Sequence, residues 1–162
     1  MKKKKRKSSN RKSKPRKEKF PFIIHADSLQ ESIAFPTHTH GLAEINMPEM
    51  FIDPISFGPN GTGSVINHAY DYFKKPKNQD KLRAILEGEI IKLKSKELSL
   101  GRMGNYTFCF REVSPDFEGV KLAYLSFNDE GDGIADPRIM QIWVEGDDFA
   151  LEDDYYVGGV RW

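Results

Sequence analysis

The chain has 162 residues and a formal net charge of +1 at pH 7, but residues 1–19 carry 12 Lys and Arg against one acid, Glu18 (+11), while the following 143 carry 13 basic and 23 acidic residues (−10). An acidic body is therefore joined to a basic tail, and the average describes neither. The 11 Phe, 6 Tyr and 2 Trp exclude a wholly disordered chain, no run approaches the roughly 20 apolar residues of a membrane span, and the lone Cys109 excludes an internal disulfide or a Cys-based zinc cluster.

Residues 2–19 are nearly all Lys, Arg, Ser and Pro, so residues 1–19 are expected to be a disordered basic tail and 20–162 a single domain. The apolar run Phe20–Ile24 is too short for the core of a secretory signal, and a cytoplasmic protein is expected. Phe20–Ala26 reads as a strand. Ser32–Leu42 is a second extended segment with a break at Pro36, and Met50–Phe57 a third, with a bulge or edge at Pro54. The turn residues Gly58, Pro59, Asn60, Gly61 and Gly63 predict a loop. After it, Val65, Ile66, Ala69, Tyr72 and Phe73 recur at helical spacing until Pro76. A short helix fits Gln79–Glu87 with Gly88 as its cap, and strands fit Glu89–Leu93 and Asn105–Val113. Within the latter, Cys109 reads as a small buried strand residue rather than a nucleophile. Ser114-Pro115-Asp116 is a helix start, and Phe117, Val120, Tyr124 and Phe127 follow at helical spacing, although Val120, Leu122 and Tyr124 also alternate like a strand; a helix is expected. A polar loop, Asn128–Asp136, precedes a last strand, Arg138–Val144, and an acidic, aromatic C-terminal segment. This order predicts an α+β fold: a mainly antiparallel sheet with two or three helices packed on it.

Among possible sites the most suggestive is His38-Thr39-His40-Gly41-Leu42. Two His at i and i+2 of a strand share a face, so both imidazoles can meet one divalent transition metal or one anionic ligand. A metal needs at least one more ligand, for which His68 on the following helix is the first choice, ahead of Asp53 and His25. Thr37 and Thr39 would face the other way. Structural histidines bonded to backbone or carboxylates are the plainer explanation of the same pattern.

Three further patterns are weaker. Gly58–Ser64 has the glycines of a phosphate-binding loop, but Ser64 stands where the Lys should be. Asn128, Glu130, Asp132 and Gly133 match the opening of a calcium loop, which fails at Ile139, where a bidentate Glu is required. The acidic cluster Asp147, Asp148, Glu152, Asp153 and Asp154 reads as a solvated surface.

His38-Thr39-His40-Gly41-Leu42, Pro48-Glu49 with the apolar run through Phe57, Val65-Ile66-Asn67, and Ile139-Met140-Gln141-Ile142-Trp143 with the acidic turn and Phe149 after it together resemble the family called domain of unknown function 4262. The closing Trp-Pro-Asp type sequence of that family is here Trp143-Val144-Glu145-Gly146-Asp147, and the basic tail is outside the pattern. The resemblance implies a small bacterial cytoplasmic α+β protein with no established activity. It draws attention to His38, His40, Gly41, Asn67 and Gln141 as family-type positions.

The sequence contains no complete catalytic constellation. The expectation is a ligand-binding or protein-interaction domain, with residues 1–19 attaching electrostatically to an acidic partner or to nucleic acid. The alternative is a metal-dependent hydrolase using His38, His40 and His68.

Overall fold

A computed structural model of the chain describes residues 20–25, 36–52, 58–117, 120, 138–147 and 151. The basic tail, Asp53, the Asn128–Asp136 loop with its calcium-like residues, most of the helix expected after Ser114, and the C-terminal acidic segment other than Asp147 and Leu151 lie outside them.

Six strands form one sheet: β1 (Ile23–His25), β2 (Thr37–His40), β3 (Glu49–Ile52), β4 (Ile91–Lys94), β5 (Thr107–Val113) and β6 (Ile139–Val144). Their spatial order is β1-β2-β3-β6-β5-β4. All neighbours are antiparallel except β3 and β6, which run parallel with Phe51 opposite Gln141. The sheet is thus mixed, with antiparallel pairs in the majority, and two helices pack on it. The central strands β3 and β6 are buried on both faces over nearly their whole length, which is why Glu49–Ile52 and Ile139–Val144 are almost continuously apolar rather than alternating. The edge strand β4 instead turns Lys92 and Lys94 outward, and charge on an exposed edge discourages pairing with another chain.

Helix α1 (Gly58–Phe73) starts earlier than its periodicity indicates. The glycine-rich segment expected to be a loop forms its first turns. Pro59 fits there, because an N–H in the first turn has no intrahelical partner to lose. A tertiary contact holds the same turns, since Thr62 is fully buried and its hydroxyl shares a 2.7 Å hydrogen bond with that of Thr37 on β2. At the other end the side-chain amides of Asn78 and Gln79 donate to the carbonyls of Tyr72 and Phe73, at 2.8 and 2.5 Å, satisfying acceptors that a helix end leaves open. Helix α2 (Gln79–Leu86) buries Leu82 and Ile85 and is followed by Gly88 at φ +99°, the left-handed exit that glycine makes without strain.

Strand alternation divides the core in two. Met50, Ile52, Phe108, Phe110, Met140 and Ile142 point to the helices and pack with Val65, Ile66, Ala69, Phe73 and Ile85. Phe51, Ile139 and Val113 point the other way and meet Phe117 and Val120, while Cys109, buried as expected, packs with Trp143 and Leu151.

Candidate functional site

His38 is in register with His25 on one side and Phe51 on the other; Phe51 is opposite Gln141 and Gln141 opposite Arg111. Residues in register share a face, so His38, Phe51, Gln141 and Arg111 form one row across four strands on the face away from the helices. His25 takes the next register position on β1. At about 4.8 Å per strand, His38 and Gln141 stand about 10 Å apart with the Phe51 ring between them.

The i, i+2 expectation for the imidazoles holds. The rings of His38 and His40 lie edge to face with centroids 5.1 Å apart. His38 is 1% exposed, His40 is half-buried, and both Nε2 atoms are withdrawn from solvent. His38 Nδ1 is 2.9 Å from the Pro36 carbonyl. A carbonyl only accepts, so Nδ1 carries a proton, and in the neutral ring the lone pair is on Nε2.

Gln141 is fully buried and accepts from Arg111 Nε at 2.7 Å. The guanidinium lies 5.3 Å from the Phe117 ring centroid and 5.6 Å from that of Trp143, two cation–π contacts that hold it in place. Arg111 went unnoticed in the sequence; its place in a strand, between Phe110 and Glu112, is the one signal that it must lie on the opposite face from a core phenylalanine.

His68 does not join the pair. Helix α1 covers the Thr37 side of the sheet, and His68 Nδ1 donates to the Leu98 carbonyl at 2.9 Å. The ring lines a cleft of about 350 Å³ together with Tyr72, Lys75, Glu97 and Ser99. The third metal ligand expected from the helix is on the wrong face because a single α1 cannot cover both sides of one sheet. Among the described residues no three His, Cys, Asp or Glu side chains are grouped to hold a metal. Asn67 is also on α1, half-buried and away from the row.

Gly41 follows β2 at φ +108°. A Cβ there would only reach ordinary contact, 3.4 Å from the Pro21 carbonyl oxygen and 3.5 Å from Phe22 Cα, so it is the backbone angle that favours glycine. Its N–H donates at 3.0 Å to the carboxylate of Glu49, which stands out in the sequence only as part of the Pro48-Glu49 pair. Glu49 is 0% exposed, the one buried carboxylate among the described residues. It also accepts from Ala43 N–H at 3.1 Å and from the Thr39 hydroxyl at 2.6 Å. The available signal was an acid opening an otherwise apolar strand, Glu49-Met50-Phe51-Ile52. No helix among the described residues is long and apolar enough to cross a membrane.

No family model matches the chain, nor does any curated protein or solved structure.

Proposed function

We propose that this chain is a ligand-binding domain whose site is the sheet face away from the helices, where His38, His40, Gln141 and Arg111 flank Phe51. The observation that carries this reading is the in-register row itself. Burying a polar group costs roughly 1–3 kcal/mol unless it is hydrogen-bonded, so a face selected for stability alone would be as apolar as its counterpart. The Gln141 amide and the Arg111 guanidinium donate hydrogen bonds, and an aromatic ring lies between them and the imidazoles. The ligand class that fits is an acidic molecule with an apolar body, meeting the protein where His40 and Arg111 reach solvent. Benzoate and phenyl phosphate are suitable probes. Saturable shifts of the His38 and His40 ring signals on titration, weakened by Arg111→Met, support the reading; signals unmoved by both probes overturn it.

A metal-dependent enzyme is the second reading. It is favoured by the 5.1 Å ring separation and by the carbonyl bond at His38 Nδ1, which presents Nε2 for coordination, as ligating histidines commonly do. Zinc binding by the purified protein that disappears in His38→Ala/His40→Ala would establish the metal site this reading requires, and the absence of binding above background would remove it.

Residues 1–19 act as an electrostatic attachment to an acidic partner such as nucleic acid. The support is a charge of +11 in 19 residues, which implies steep salt dependence through counterion release. Binding of a DNA duplex that survives deletion of residues 1–19 would exclude the role. The lone Cys109 supports a cytoplasmic setting, and the likeness to the domain of unknown function 4262 family suggests a bacterial one.

A further inference from the structure

The paired register of β2 and β3 ends at His38 opposite Phe51, although both strands continue, β2 to His40 and β3 back to Glu49. Side chains replace the backbone ladder where it stops. Met50 N–H donates to the Thr39 hydroxyl at 2.9 Å, that hydroxyl donates to Glu49 Oε2 at 2.6 Å, and Glu49 Oε1 accepts from Gly41 and Ala43 N–H at 3.0 and 3.1 Å. Thr39 and Gly41 are the two sequence neighbours of His40. The carboxylate therefore grips the chain on both sides of that histidine where pairing with β3 has stopped, while on the other edge β1 still pairs with it, Ile23 opposite His40. Burial strengthens the grip, since hydrogen bonds to a charged acceptor are about twice as strong as neutral ones and Glu49 and Thr39 are both 0% exposed.

From this we infer that Glu49 is a positioning residue for the His38/His40 pair. It sets the direction of the His40 ring relative to His38 through Thr39 and Gly41 and makes no contact with ligand. The inference rests on the proposed site for its functional meaning. The geometry it asserts can be tested without any ligand.

The experiment compares wild type, Glu49→Gln, Thr39→Val and Thr39→Ser. The ring ¹⁵N and ¹³C shifts of His38, His40 and His68 are recorded first, and phenyl phosphate affinity second. Glu49→Gln and Thr39→Val are expected to move the His40 resonances while leaving those of His68, on the other face, in place. They should also weaken phenyl phosphate about tenfold, the low end of what losing an outer-sphere partner costs at ligating histidines. Thr39→Ser keeps the hydroxyl and should restore both readouts. If Glu49→Gln fails to fold, Thr39→Val carries the test, because it removes only the hydroxyl bridge. A variant with a lower Tm but unshifted His40 rings overturns the inference, as does a Thr39→Ser variant no better than Thr39→Val. If wild type ignores both phenyl phosphate and benzoate while the His40 shifts behave as stated, the ligand reading falls and the positioning role stands.

Discussion

The two faces of this sheet are built from alternate residues of the same strands, yet they solve different problems. On the helix side Phe73 and Phe110 meet with ring centroids 5.2 Å apart, amid aliphatic neighbours whose polar demands are nil. On the other side Phe51, Ile139 and Trp143 share the surface with His38, Gln141 and Arg111, and two directed bonds hold polar groups there: His38 to the Pro36 carbonyl and Arg111 to Gln141. The first face derives its stability from area and close packing, which are non-directional. The second adds bonds that work only at one geometry, and a surface that must hold groups in fixed directions tolerates their burial for that reason.

That contrast predicts a graded response to substitution. The largest loss should come from the apolar face: Phe110→Ala removes a fully buried ring and should cost about 3–5 kcal/mol in urea unfolding. A cost under about 1 kcal/mol would mean that this face is not the main source of stability. Next is Glu49→Ala, which leaves two N–H groups and a hydroxyl without their acceptor and should cost about 2–3 kcal/mol. Because the effect comes from hydrogen bonding rather than area, Glu49→Leu should not recover it. Gln141→Met preserves shape but removes the acceptor for Arg111 Nε, and about 1–2 kcal/mol is expected; a neutral result would show that the guanidinium is held without this bond. The hydroxyl pair between β2 and α1 should contribute about 1 kcal/mol, read as the coupling energy in a Thr37→Val, Thr62→Val double-mutant cycle. At the bottom of the scale, Lys92→Ala breaks an exposed bridge to Glu145 and should change stability by about 0–1 kcal/mol, with the difference vanishing at high salt.

Much of the local structure was legible. The period of two placed His38 and His40 on one face and Thr37 and Thr39 on the other, and the alternation through Phe108-Cys109-Phe110 indicated a buried Cys109. Gly88 marked the end of α2 because a left-handed residue is needed there. The start of α1 was not legible: Gly58, Gly61 and Gly63 lower helix propensity, and the Thr62 contact with β2 that stabilises those turns involves a residue 25 positions away. Glu49 was illegible for a related reason. An acid beside a turn is normally solvated, and only the convergence of Thr39, Gly41 and Ala43 on it makes burial tolerable.

The sequence by itself determined the charge division between tail and body, the approximate positions of most strands and both helices, and the shared face of the two imidazoles, because each depends on composition or on a period of two or 3.6 residues. Tertiary structure alone decided that β3 and β6 pair in parallel, that α1 and His68 lie on the far side of the sheet from His38, and that Gln141 and Arg111 complete the row with Phe51. Those outcomes depend on which strands become neighbours and which face a helix covers. Burial across the whole domain settles both, and no local period encodes it.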